Sequence, residues 1–169
     1  MRQKLMLTMF LLGIFTVSYS QQNSTWNKWS WLTGEWVGEG GGQPGQGGGT
    51  FSFKTDLDGK ILVRKSHAEY PASVNKPKIV HDDLMIVYAE NNGDSSKAVY
   101  FDNEGHIIHY SITYAEKSIV FLSDKIPHVP VFRLTYSMLD NGGVNTAFEM
   151  SQDGKKFMMY VEGKSKKVN

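Results

Sequence analysis

Turn chemistry recurs along this chain at intervals that leave room for strands and little else. Asp58-Gly59, Asn92-Gly93, Asn103-Glu104-Gly105, Asn141-Gly142-Gly143 and Asp153-Gly154 all accept positive φ at small steric cost. Between them lie runs rich in Val, Ile, Thr, Tyr and Phe, which suit a pleated surface. These runs predict strands near Glu35–Glu39, Thr50–Asp56, Lys60–Tyr70, Asp82–Ala89, Lys97–Asp102, His106–Tyr114, Ser118–Ser123, Val131–Leu139, Val144–Ser151 and Phe157–Lys164. No run of helical period is long enough for a crossover, so consecutive strands join as hairpins. About ten twisted strands in one sheet close or split, and a meander closes most simply. The expected fold is all-β: a single antiparallel up-and-down barrel of about ten strands, with a β-sandwich as its rival. Trp29 and Leu32, three residues apart, predict a short N-terminal helical turn before Gly34.

The first twenty residues are of a different kind. Arg2 and Lys4 precede an apolar run from Leu5 to Val17, and Ser18-Tyr19-Ser20 offers small residues where a signal peptidase reads. About 13 apolar residues fall short of the roughly 20 that cross a bilayer. The pattern predicts a signal peptide over 1–20, a lead with the helical turn over 21–31, the barrel over 32–164 and a polar tail over 165–169. The mature protein is then secreted or periplasmic, with no membrane insertion after cleavage. The chain holds 18 Lys and Arg against 17 Asp and Glu, and loss of Arg2 and Lys4 leaves 16 against 17. So even a balance gives no footprint for nucleic acid. Cysteine is absent, which excludes disulfides, a thiolate nucleophile and a lipid anchor on Cys. A mature chain of about 149 residues buries enough surface to fold without such staples.

Gly34-Glu35-Trp36, just after the helical turn, resembles the G-x-W opening of lipocalins and their calycin relatives. In those folds the Trp closes one barrel end beneath a basic side chain from the last strand; the resemblance gives these roles to Trp36 and Lys164. Gly34-x-Trp36-x-Gly38-x-Gly40 is similar to the first strand of nitrobindin-like barrels. Tyr100-Phe101-Asp102-Asn103-Glu104-Gly105-His106 and Phe132-Arg133-Leu134-Thr135-Tyr136 resemble an uncharacterised family of exported lipocalin-like barrels. The likeness spans residues 32–164 and implies a lipocalin-like barrel. Nitrobindins carry ferric haem on a His late in the chain. Here no His follows His128, which sits between Pro127 and Pro130. No cofactor is expected, with haem kept only as a lesser alternative.

Leu84-Met85-Ile86-Val87-Tyr88 and Ile119-Val120-Phe121-Leu122 are apolar on both faces. Either the aromatic turn folds across a barrel end, or the interior is apolar and suits an apolar ligand. The glycine-rich stretch 38–49 holds a formal G-x-G-x-x-G at Gly40, Gly42 and Gly45, but the alternating strand Thr50-Phe51-Ser52-Phe53 follows instead of a helix. It reads as a hairpin loop at the barrel mouth. His106 and His109 are three apart, so on a strand they face opposite sides and cannot share a metal. A site would need His67 or His81 from a neighbouring strand, and no metal is expected.

Arg133 lies between Phe132 and Leu134 and faces away from both; Arg64, in Leu62-Val63-Arg64, is a second inward candidate. Glu69, Asp83 and Glu149 are available as partners. In fatty-acid-binding barrels an inward Arg with a nearby Tyr holds a carboxylate, a task that suits a planar guanidinium. The candidate ligand-binding residues are Arg64 and Arg133 for a polar end, with His67, Tyr100, His106, His109 and Tyr136 as hydrogen-bonding or lining groups. No nucleophile–base motif appears, so no catalytic residue is assigned. The expected function is non-enzymatic binding of a small, largely apolar molecule, with or without an acidic group, in the lumen of an exported protein. The alternatives are a barrel enzyme (isomerase, cyclase or hydrolase) using His106 or His109 with Glu69 or Asp83, and a cell-envelope protein-interaction module.

Overall fold

The computed structural model describes residues 24–40, 48–72, 77–90 and 95–168. The expected signal peptide, the centre of the glycine-rich loop and the Asn92-Gly93 turn lie outside the described residues. A 3-10 turn, Ser24–Trp29, precedes ten strands. They are β1 Gly34–Gly38, β2 Gly49–Asp56, β3 Ile61–Tyr70, β4 Ile79–Ala89, β5 Ser95–Asp102, β6 Ile107–Ala115, β7 Ser118–Ser123, β8 Val131–Met138, β9 Val144–Ser151 and β10 Met158–Lys167. Each strand pairs antiparallel with its sequence neighbours, and β1 pairs with β10 to close the barrel. Closure leaves no unpaired edge.

The strands are tied by the turn residues the sequence marks. Asp58 and Gly59 both take positive φ, 53° and 76°. Gly105, Gly142 and Gly154 do the same in the turns after β5, β8 and β9. The last strand differs from expectation: it runs three residues beyond Lys164, through the segment read as a polar tail. Cross-strand pairing with β1 decides this, because Trp36, Val37 and Gly38 need Lys167, Lys166 and Ser165 as partners. The side chain over the Trp36 ring is accordingly that of Lys167, with its Nζ 5.4 Å from the ring centroid, and not Lys164. An odd offset of three puts these two lysines on opposite faces of β10.

One end of the barrel is plugged. Trp29 and Leu32 are fully buried. The Trp29 ring meets Phe53, Tyr114 and Phe121 at centroid distances of 5.8, 6.1 and 5.8 Å. Trp26 donates its indole N–H to the Gly59 carbonyl at 2.8 Å, and Trp36 donates to the Leu32 carbonyl at 2.8 Å. Both indoles thus bury their rings without stranding a donor. Above the plug, Phe51, Phe53, Phe121 and Tyr136 form a chain of edge-on and tilted ring contacts 5.3 to 6.0 Å apart. This half of the interior is solid with rings, which leaves the opposite end, where β3, β5, β7 and β9 finish, as the mouth.

Candidate functional site

Alternation along β3 sends Leu62, Arg64, Ser66, Ala68 and Tyr70 inward; on β4 the inward set includes His81, Asp83, Met85 and Val87, and on β5 Ala98, Tyr100 and Asp102. The lower members are apolar and fully buried, so the first charged inward group met from the plug is Arg64. Its guanidinium carbon lies 5.9 Å from the centroids of both Phe51 and Tyr136. Nη1 donates to Asp83 Oδ1. The two side chains are 9% and 5% exposed, so this ion pair is nearly dry.

Burial works against the Arg64 charge, but Tyr136, Asp83 and Tyr100 outweigh it and raise its pKa above the ordinary value. For Asp83 the balance goes the other way. Burial outweighs the attraction of Arg64 and His81 and the hydrogen bond from Ser66, and its pKa rises. Burial, helped by Asp83 and opposed by Arg64, pushes the Tyr136 phenol up to about 12. That hydroxyl senses the guanidinium charge but lacks hydrogen-bond geometry to it. Tyr136 Oη and Arg64 Nε are both buried without a hydrogen-bond partner.

Above this floor a polar chain climbs to the rim. Tyr100 donates its hydroxyl to Asp102 Oδ2 at 3.2 Å and lies 3.0 Å from His81 Nε2. His81 Nδ1 is 3.1 Å from Glu104 Oε1, and its Nε2 is 3.7 Å from Asp83 Oδ2. The Asp102 carboxylate accepts the backbone N–H groups of Glu104 and His106 at 3.0 and 2.9 Å, and the His106 ring Nδ1 at 2.8 Å. Although burial opposes it, these bonds hold the Asp102 carboxyl below its usual range. Burial, with Asp83 and Asp102 nearby, pushes the Tyr100 phenol up; it is a neutral donor at physiological pH. The facing wall is apolar. Phe132 and Phe148 stack at 5.7 Å, and Tyr160, beside the register shift in β10, sets an edge against Phe148 at 6.1 Å. Tyr70 is raised first by burial and then by Tyr160, Asp83 and Glu104. Such a mouth offers hydrogen-bond donors and acceptors on one side and flat apolar contact on the other.

Three of the residues expected from sequence come together here: Arg64, Tyr100 and Tyr136, with His106 at the rim bound to Asp102. The other three are on the outer wall. His67 pairs with Asp82 at 2.7 Å and Glu69 at 3.5 Å, outside the barrel. His109 is exposed in register with Val99. Arg133 forms a two-bond fork with Glu149, 2.7 Å at both contacts, and covers the Phe157 ring at 4.0 Å. Parity explains all three, since each is an odd number of residues from an inward core position (Arg64, Tyr110 and Leu134). His81, which has no ligand-binding role in the sequence reading, also joins this cluster. It lies two before Asp83, hence on the same face, but a β4 predicted to start at Asp82 leaves it outside the strand.

A groove of about 690 Å3 also crosses the outer wall of β1–β5, where Glu35, Ser52, Lys65, Leu84 and Phe101 lie in one register row. Its lining also includes the inward residues Trp36, Phe51, Ser66, Asp83 and Asp102. Among the described residues, no three of His, Asp and Glu converge so as to hold a metal ion. No protein-family model matches the sequence, and no curated protein matches it.

Proposed function

We propose that this is an exported, lipocalin-like binding protein that takes a small, largely apolar molecule into the open half of its barrel. The observation that carries this reading is the inward set of hydrogen-bonding groups, Tyr100, His81, Asp83 and Asp102, that rises from Arg64 opposite the stacked Phe132 and Phe148. The body of the ligand would lie against Phe132, Phe148 and Tyr160. The filled lower half limits the ligand to the mouth and its vestibule. Calycin kinship, suggested by Gly34-Glu35-Trp36, and export, suggested by the leader, belong to the same proposal. Haem has no histidine late in the chain to hold it.

Native mass spectrometry of protein purified from its own host tests the reading. The expected result is a retained small molecule that Ala68→Trp, an inward change near the mouth, displaces. A wild-type protein that carries nothing and takes up no apolar probe removes the proposal.

One observation favours a second reading, proton-transfer catalysis. His81 lies within hydrogen-bond reach of Glu104 and Tyr100, a base–orienter arrangement open to the mouth. Here His81 takes the part that the sequence offers to His106 or His109. Turnover of p-nitrophenyl esters or of a β,γ-unsaturated ketone that is absent in the wild type, or unchanged in His81→Gln, removes this alternative.

A further inference from the structure

We propose that the rim formed by the β7–β8 and β9–β10 loops docks on the surface of an anionic phospholipid bilayer. The inference goes beyond the binding function proposed above and does not rest on it.

The two loops lie side by side at the open end of the barrel. Val131 pairs with Ser151 at their base, and Val131 Cγ2 lies 3.5 Å from where a Cβ on Gly154 would stand. Together they display Ile126, Val129, Met158, Met159 and Tyr160, which are 43 to 66% exposed. Neither loop is slack. Val129 donates its N–H to the Ile126 carbonyl at 3.2 Å, across Pro127 and a His128 with φ of 65°. Proline second and a positive φ third make a type II turn with Ile126 and Val129 at its ends. In the neighbouring loop Asp153 accepts the Lys155 and Lys156 backbone N–H groups at 2.8 and 3.0 Å. Both backbones are therefore fixed before anything binds, which lowers the cost of ordering them.

The charges decide what this apolar rim meets. Lys125 precedes Ile126, and Lys155-Lys156 precedes Phe157-Met158-Met159-Tyr160; all three lysines are exposed. The acids on these loops are Asp124 and Asp153, and the Asp153 carboxylate is engaged by its own turn. Beneath them Arg133 and Glu149 neutralise each other. Lysine is depleted in protein–protein interfaces, whereas lysine mixed with Met, Ile and Tyr suits a headgroup layer, ammonium on phosphate and apolar side chains at the acyl boundary. The opposite rim carries Asp82, Asp102 and Glu104, so the barrel would tilt onto its β7–β10 side. It would rest on the bilayer without spanning it, since Lys65, Glu69, Arg133 and Glu149 on the outer wall are charges that a lipid-facing band disfavours.

Flotation of protein purified from its own host tests this, with vesicles of phosphatidylcholine alone or mixed with phosphatidylglycerol. Binding is expected to be about three- to tenfold stronger on the mixed vesicles and to fall with added salt. Ile126→Ser with Met159→Ser should weaken it about tenfold or more. Lys155→Glu with Lys156→Glu should abolish the preference for anionic lipid, and Lys117→Glu, at the plugged end, should leave binding unchanged. Thermal melts establish that each variant folds; if the serine pair does not, the lysine pair decides. The proposal is overturned if the wild type floats with neither vesicle, or if the folded serine or glutamate pair binds as the wild type does. It is equally overturned if Lys117→Glu weakens binding as much as the Lys155 and Lys156 changes. Self-association without lipid that the serine pair abolishes would assign the rim to a second copy of this chain and overturn it too.

Discussion

Cutting the Arg64–Asp83 pair from one side should cost far more than removing it whole. The two side chains are 9% and 5% exposed, so neither has water to turn to when its partner is lost. Asp83→Leu leaves a buried guanidinium uncompensated, a change expected to destabilise by about 3–5 kcal/mol. For a domain of this size that lowers Tm by roughly 6–20 °C. The direction of the Asp83 pKa points to the complementary result. Its carboxyl is raised because burial outweighs the pull of Arg64, whereas the Arg64 charge is held by its partners, so burial strains the carboxylate member of the pair. Arg64→Met with Asp83→Leu should therefore return to within about 1 kcal/mol of wild type or exceed it. Denaturant melts followed by tryptophan fluorescence give all four corners of the cycle. A pH series adds a signature. A group raised in the fold contributes stability below its unfolded value of 3.8, which is lost as pH rises through the folded value, and Asp83→Asn should lack that limb. The reasoning is refuted if Asp83→Leu costs under about 1 kcal/mol and the double variant is no better, for then water reaches the pair.

Gly49→Ala should disrupt the start of the β2–β3 pairing: a Cβ there would fall 2.2 Å from the His67 carbonyl oxygen and 2.9 Å from Ala68 Cα, both backbone atoms. A large loss of Tm is expected, and a melt within 2 °C of wild type would contradict it, given about 2–4 °C per kcal/mol. Trp29→Ala removes the plug's central ring and its contacts with Phe53, Tyr114 and Phe121, at a cost of about 3–5 kcal/mol read from urea midpoints. Asp153 accepts the backbone N–H groups of Lys156 and Lys155 and the Ser151 hydroxyl, which lower its carboxyl from 3.8 to about 2. Its contribution is present above pH 3.8 and lost as pH falls towards 2. Asp153→Asn should therefore flatten the acid limb of the stability curve, which acid titration of both proteins would reveal.

Strand existence and connectivity were legible because turn chemistry is local. Asp58-Gly59 and Asp153-Gly154 need no tertiary context to accept positive φ, and both turns fall where expected. The helical turn was legible through Trp29 and Leu32 alone. The closing pair was not. Ser165-Lys166-Lys167 has neither β propensity nor apolar alternation, and only the need of β1 for a partner makes it a strand. The site was half legible for a related reason. Which face a residue occupies depends on the register of the whole barrel, and a shift of one reverses it. Arg64 and Arg133 look alike in sequence, each flanked by apolar residues. Leu62 and Leu134 are both buried, but Arg64 is an even step from its leucine and Arg133 an odd one.

The same parity also separates two kinds of ion pair. Arg133 and Glu149 lie on the outer wall, where the carboxyl is lowered by the fork that Arg133 makes with it, and water can take over if either is lost. Arg64 and Asp83 lie inside, where the carboxyl is raised despite its partner. Replacing an interior ion pair by an apolar filling of equal shape is often neutral or stabilising. The aromatic half below, from Trp29 to Tyr136, supplies burial enough for the barrel to tolerate it. What the pair does supply is a fixed polar floor to the mouth, with Asp83 holding Arg64 Nη1. Under the proposed function, the cost in stability and the capacity to bind have one origin. The doubly apolar variant should then be at least as stable as wild type while losing its ligand.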